Sequence, residues 1–322
     1  MNFVSIPNNG SSWQESLIYS FETADAQPQD IEVEICDVGA NSLLGTKRLY
    51  GVASGSIDIA PYLRSVCDLR ISYTGGNSVH NTQIARNISV KLNGVESESR
   101  LFMLRSFDAS APKILTRFAA ESTFSIGDVV TFSLFVPSKL NIVANIISPS
   151  SRKQVHLQWS GTNAIVDVEM QTRNFKADIE LIDINIHFDG NIVENLKFNV
   201  VSPQSRHRQL LWRNSWGGVE SYGFPQSLPL ARAVEAESIE LATHDVVMLG
   251  KAQCRNRLCS AFETEQELER ISEVMLSSYI YEVDQGVLHE VEVDDRKIEY
   301  DTHGNLRQLA FDIVKEWKGG GL

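Results

Sequence analysis

The chain has no excess of positive charge, no long apolar run and no cysteine framework, and each absence removes a class of function. Its 29 Lys and Arg stand against 41 Asp and Glu, a formal net charge of −12. Sequence-independent nucleic-acid binding needs a basic face that displaces counterions, and anionic bilayers attract basic segments. Neither nucleic acid nor membrane is therefore an expected partner. A spanning helix needs about 20 consecutive apolar residues, and no stretch approaches that length. The first ten residues lack both a basic start and an apolar core, so no signal peptide is expected. Cysteine is scarce, at positions 36, 67, 254 and 259. Cys36 and Cys67 fall in strand-like sequence and are expected as buried thiols. Cys254 and Cys259 are five apart, unlike the two-residue spacing of zinc sites, and no second Cys/His pair lies near them. Neither a metal nor a disulfide is expected.

Catalytic motifs are missing as well. There is no Gly-x-Ser-x-Gly elbow, no phosphate-binding glycine loop and no His-Glu-x-x-His. Ser150 to Lys153 fits Ser-x-x-Lys by chance, in a Pro/Ser turn without the companion motifs. The seven histidines are scattered. Asp167/Glu169, Glu180/Asp183 and Asp294/Asp295 supply carboxylate pairs of the kind a glycosidase uses, yet nothing in the sequence brings one pair together. Arg206-His207-Arg208, the densest basic spot, reads as a solvated linker edge. No catalytic residue, cofactor or metal ligand is assigned.

What is present is β patterning. Alternating or β-branched segments at 16–21, 31–35, 45–52, 55–63 (a strand leading into a Pro-started turn), 69–73, 84–92 and 98–104, with Asn93-Gly94 as the strongest hairpin turn, make residues 1–108 a β-sandwich. Phe107 to Pro112 reads as a linker. Strands at 128–136, 141–147, 155–159, 164–170, 178–187 and 192–200 make 113–202 a second sandwich of Ig-like type, and Ser202 to Arg206 is a second linker. Residues 206–322 differ. Strands are expected at 232–243, 246–252 and 257–262. Thr264 and Glu267 form a capping box, and Leu268, Ile271, Val274 and Met275 carry helical spacing through Ser278. Strands follow at 279–283 and 287–293, and a turn at Thr302 to Asn305 leads into a last segment read as a strand. The fold class is mainly β: two sandwich-like domains, then a smaller α+β domain with one clear helix.

Aromatics and glycines crowd into one place, Leu211 to Phe224. Gln209 to Arg213 alternates like a half-buried strand. Asn214-Ser215 and Gly217-Gly218 are turn formers, and Glu220, Tyr222 and Phe224 share one face of a returning strand. The bland expectation is that these aromatics pack a small core; the sharper one is a platform that stacks a ligand. Trp212, Asn214, Trp216, Gly217, Gly218, Glu220, Tyr222 and Phe224 are the candidate structural or interface residues.

This stretch resembles a Trp-x-Asn-x-x-Gly-Gly-x-(Asp/Glu)-x-(Tyr/Trp)-x-Phe pattern of uncharacterised phage and prophage structural proteins from Bacteroides-type bacteria. The likeness continues through the helix ending at Leu276-Ser277-Ser278, the strand Tyr279 to Val283, the strand Val287 to Val293 and the closing Leu309 to Ile313. It departs at Gly223, where a polar or β-branched residue is expected, and in the region from Cys254 to Cys259. The resemblance implies a non-enzymatic virion component of tail, baseplate or capsid surface. Its partners would be other virion structural proteins and copies of itself, with surface glycan as a further candidate. It would reside in the host cytoplasm during assembly and in the virion afterwards. A carbohydrate-binding or adhesin module is the first alternative and a glycan-cleaving enzyme the second.

Overall fold

The structure is a computed structural model that describes residues 1–118, 122–173, 179–202, 204–241 and 244–318; for 234–241, 244–252 and 317–318 it describes the backbone alone. The chain is mainly β, built around three sheet systems.

The first sandwich faces a three-stranded sheet (Asn2–Ser5, Ile18–Glu22, Ser54–Asp58) against a larger one led by Gln29–Asp37, Ser42–Val52, Arg86–Leu92 and Arg100–Met103. Alternation places Tyr19, Phe21 and Ile57 from one sheet and Val33, Ile35, Val90 and Phe102 from the other in a common buried core. Asn93 and Gly94 both have positive φ, as a two-residue hairpin turn requires, and Leu92 pairs with Val95 across it.

In the second sandwich, Lys113–Ile114, Val129–Val136, Ala164–Gln171 and Ser78–Asn81 form one sheet. Ser122–Ser125, Asn191–Val201, Leu181–Phe188, Leu140–Ser148 and Ser151–Trp159 form the other. Phe132, Val166 and Val168 meet Ile142, Ile184 and Phe198 between them.

The third system has eight strands. Val219–Phe224 stands at one end and the long strand Gln226–Leu241 at the other, joined through Pro225. Both ends share one core with the helix Glu265–Ser272: Trp212, Phe224, Leu258 and Phe311 pack on Leu268, Ile271 and Val274. The sheet is therefore curled around the helix.

Four expectations need correction. Leu69 to Tyr73 is irregular backbone, because its polar groups are taken by side chains, as described below. Ala60–Val66, read as a strand end and turn, is a short helix opened by Pro61. The separate segments 246–252 and 257–262 are one strand, His244–Glu263, paired from His244 to Cys259 with Gln226–Leu241. The helix turns into a 3₁₀ turn at Glu273–Leu276 rather than running to Ser278. The last segment is a strand, Leu306–Lys318. Cys36 and Cys67 are half-buried, Cys254 and Cys259 buried, and all four are free thiols. Burial pushes the Cys67 thiol up to about 12.

The boundary expected near Ala109 to Pro112 is crossed by structure. Ser78–Asn81, from the N-terminal block, completes a sheet of the second sandwich by pairing with Val166 to Glu169. Leu115, Phe135 and Ile165 in turn belong to the core of the first. Asp108, Ser110 and Ala111 are nevertheless exposed, as favoured nicking sites are. Limited proteolysis is expected to cut there and leave the two fragments associated. Co-elution under native conditions checks it, and separate elution would contradict the shared core.

Candidate functional site: the three-domain junction and its cleft

The strand pair Val129–Val136 and Ala164–Gln171 is buried on both faces. One face is apolar and fills the second sandwich. The other carries Thr131, Ser133, Asp167, Glu169 and Gln171, all buried. A buried polar face must be hydrogen-bonded or it costs free energy, and the motif hairpin covers it together with residues 69–81.

Arg213 is the centre. Its guanidinium meets Asp167 bidentately, Nη2 to Oδ2 at 2.6 Å and Nη1 to Oδ1 at 2.9 Å. It also donates to the carbonyls of Gly217, Leu69 and Arg70 at 3.0 to 3.3 Å. All five guanidinium hydrogens are thereby used, on groups from the second sandwich, the hairpin itself and the irregular segment at Leu69–Arg70 of the N-terminal block. Asp167 Oδ1 also accepts from Ser133 Oγ at 2.6 Å, and Ser133 Oγ accepts from the Val219 amide at 2.8 Å. Thr116 Oγ1 donates to the Val219 carbonyl at 2.6 Å and accepts from the Ser133 amide at 2.8 Å.

The hairpin turn is built to fit this seat. Asn214 Oδ1 accepts from the amides of Trp216 and Gly218, both at 2.9 Å. Its Nδ2 donates to the Leu115 carbonyl at 2.8 Å and to Glu220 Oε1 at 2.6 Å. Gly217 has φ +85°, and a Cβ on Gly218 would come 2.6 Å from the Leu115 carbonyl carbon. The glycine pair thus permits both the turn and backbone contact with the neighbouring domain. Glu220 is fully buried, holds the Arg117 amide at 2.8 Å and meets Arg270 of the helix at 2.9 Å. Burial pushes the Glu220 carboxyl up, against the pull of Arg270. Burial likewise opposes charge on Arg270, but Glu267 and Glu220 outweigh it and keep the guanidinium protonated. Thr264 caps the helix by accepting the Glu267 amide at 3.3 Å, while the Glu267 carboxylate turns to Arg270 rather than back to Thr264.

Trp212 and Phe224 lie in the C-terminal core, both 0% exposed. Trp216 is half-buried; Lys113 Nζ sits 4.3 Å from its ring centre, with Phe107 beside it. Tyr222 packs on Phe224, and its hydroxyl donates to Glu263 at 2.7 Å and accepts the Ala261 amide at 3.0 Å. All eight motif residues are therefore occupied within the chain. The motif reading left out Arg213, which sat at a free position of the pattern, and Ser133 and Thr116, which no local signal marks. Asp167 was visible as half of a carboxylate pair. It serves as the counter-ion of Arg213, while Glu169 holds Thr74 and Gln171. Asp294 and Asp295 lie apart from it, Asp294 beside Arg255. His207 is not a solvated linker residue: its Nε2 lies 2.6 Å from buried Asp128, latching the C-terminal domain to the second sandwich.

Beside this latch is a cleft of about 720 Å³ between those two domains, lined among others by Phe118, Phe124, Asp128, His207, Tyr222 and Glu263. That volume suits a small ligand. Burial, and then the nearby Glu267, raise the Glu263 carboxyl, although the Tyr222 hydroxyl opposes them. A carboxyl whose folded-state value is raised adds stability that is complete below its unfolded value, about 4.3. The contribution is lost as pH rises through the folded value. Glu263→Gln mimics the protonated form. The variant's melting temperature should therefore rise relative to the parent's as pH goes from 4 towards neutrality; a pH-independent difference would contradict the shift.

No cluster of three or more His, Cys, Asp or Glu placed to hold a metal occurs among the described residues, and no described helix is long and apolar enough to cross a membrane. No protein-family model matches the chain, and no curated protein matches it. Among solved structures, CBD12 from CALX1.2 is similar at 10% identity over 54% of this chain and 73% of that one, with a TM-score of 0.17. The chicken interferon gamma receptor alpha chain matches at 9% identity over 62% and 97%, TM-score 0.18. Alpha-2-macroglobulin of E. coli matches at 9% over 97% of this chain and 19% of that one, TM-score 0.23. Scores this low carry no argument, and the β-sandwich description rests on the sheets themselves.

Proposed function

We propose that the chain is a non-enzymatic structural component of a phage or prophage particle, acting through protein–protein assembly. The observation that carries this reading is the junction: the motif Trp212 to Phe224 is spent on fastening three β domains into one unit through Arg213, Asn214 and Glu220. A particle subunit needs such fixed geometry between domains, since small hinge errors multiply over repeated copies. Mass spectrometry of gradient-purified particles from the induced source bacterium tests it. The chain should co-purify in stoichiometric amount with other particle proteins, and its absence from particles made while it is expressed would overturn the reading.

The cleft favours a second reading, in which a surface glycan is bound. Trp212 is buried, Trp216 is covered by Lys113, and Tyr222 is tied to Glu263, so the sugar would enter beside Phe118 and Phe124 instead. Glycan-array binding lost on Gln266→Ala, an exposed residue of the cleft wall, with melting unchanged, would support it.

A further inference from the structure

The second sandwich turns one sheet face away from its core. Leu140–Ser148 buries Ile142, Ala144 and Ile146 in that core, so alternation points Asn141, Val143 and Asn145 the other way. Each of these three belongs to a row across four strands. Asn141 lies between Gln158 and His187, with Ile192 beyond. Val143 lies between His156 and Asn185, with Asn195 beyond, and Asn145 between Gln154 and Asp183, with Lys197 beyond. At about 4.8 Å between strands and ~3.4 Å per residue, the three rows span about 14 Å by 13 Å.

The composition of this face is unusual for the chain. Six of its twelve positions are carboxamides and two are imidazoles. Asp183 and Lys197 are its only charges, opposite in sign and directly paired across the strands. Other outward faces carry charge, which is what solubility asks for. Glu32 meets Arg48 and Glu34 is opposite Lys91 on the first sandwich, and Arg255 and Arg257 meet Asp312 on the C-terminal sheet.

The amides are also ordered. Asn195 Nδ2 donates to Asp183 Oδ1 at 2.6 Å and to Asn185 Oδ1 at 2.9 Å. Gln154 Nε2 donates to Asn145 Oδ1 at 2.9 Å. Groups fixed in advance lose less entropy when a ligand arrives. Asn141, Gln158, His156 and His187 make no side-chain hydrogen bond among the described residues, and the first three are exposed. A carboxamide both donates and accepts, as a sugar hydroxyl does. Half-buried Val143, in the middle row, offers an apolar spot for the C–H face of a sugar ring. A protein partner would favour aromatics, Met and Arg at such a centre, and nucleic acid would need a basic face.

We propose that this face binds an uncharged glycan chain laid flat across the three rows. The inference goes beyond the cleft reading: the ligand is again a glycan, but the site is separate, and either site can fail alone.

An array of neutral and acidic glycans, probed with the full chain displayed multivalently, tests this. The parent should bind neutral glycans. The double variant Asn141→Ala, Gln158→Ala should bind them at least about tenfold more weakly, a loss of ~1.4 kcal/mol. Its melting temperature should stay unchanged, since both side chains are exposed and unbonded. Asn195→Ala, which frees Asp183 and Asn185, should weaken binding as well and serves as the second variant. Gln266→Ala, in the cleft, should bind like the parent. Binding lost in Gln266→Ala but kept in both face variants overturns this site and supports the cleft. Binding confined to acidic glycans also overturns it, because Lys197 and Arg152 of the next row would then be the ligands' partners. A parent that binds no glycan overturns both sugar sites and leaves the assembly reading, which rests on particle composition, standing.

Discussion

Arg213→Ala should be among the most damaging single substitutions in this protein, costing about 3–5 kcal/mol, the usual range for removing one partner of a buried ion pair. The cost follows from what stays behind. Asp167, 1% exposed, would be left with only Ser133 to donate to it, and the carbonyls of Leu69, Arg70 and Gly217 would each lose a donor. Arg213→Lys keeps the charge but cannot make the bidentate contact or reach five acceptors, so it should fall between parent and alanine variant. Arg255→Ala is the control. Its partners Asp294 and Asp312 lie on a half-exposed surface, where pairs are worth about 0–1 kcal/mol. Denaturant unfolding of the three variants at pH 7 gives the order. An Arg213→Ala midpoint equal to that of Arg255→Ala would mean that the junction does not hold the domains.

How much of this was legible in the sequence depends on which face of a strand is considered. Alternation in Ala164–Gln171 marked Val166 and Val168 as core, and they are. The same alternation marked Asp167 and Glu169 as outward, where a single sandwich would place them in water. They are outward from their own sandwich and still buried, because the Arg213 hairpin and residues 69–81 lie over them. Period-two reading reports the two faces of a strand but not what covers the second face. Leu69 to Tyr73 failed for the complementary reason. Its β-branched and aromatic residues suggested a strand, but the carbonyls of Leu69 and Arg70 accept from Arg213 and the Ser72 carbonyl lies 2.9 Å from His80 Nε2, so no ladder forms. The turns at Asn93-Gly94 and Thr302 to Asn305, and the Thr264 cap, were readable because each is decided by a few adjacent residues. The motif hairpin was found by composition, but its seat was not, since Leu115, Thr116 and Ser133 lie about 80 to 100 positions away in the chain.

Trp212→Ala is expected to cost about 3–5 kcal/mol, while Trp216→Ala, a few positions away, should cost far less. Trp212 is 0% exposed and is the largest side chain in the core that joins Phe224, Leu258, Ile271 and Phe311 around the helix. Truncation leaves a cavity whose walls are two strands and a helix already fixed by Glu220, Arg270 and Glu267, so they cannot collapse to fill it. Trp216 sits at the outer edge of the junction, half-buried, and its contact with Lys113 is of the kind worth about 0.5–1 kcal/mol at exposed sites. Thermal melts of both variants give the contrast, and a glycan array run beside them gives it functional meaning. In an assembly protein, Trp212→Ala lowers the melting temperature steeply and its loss of association follows from unfolding. In a lectin with an exposed aromatic platform, the tryptophan could be removed with the melt unchanged and sugar binding lost. That second result for Trp212 would contradict its burial as well as the assembly reading. For Trp216 it would move the sugar site from the cleft to the junction's rim.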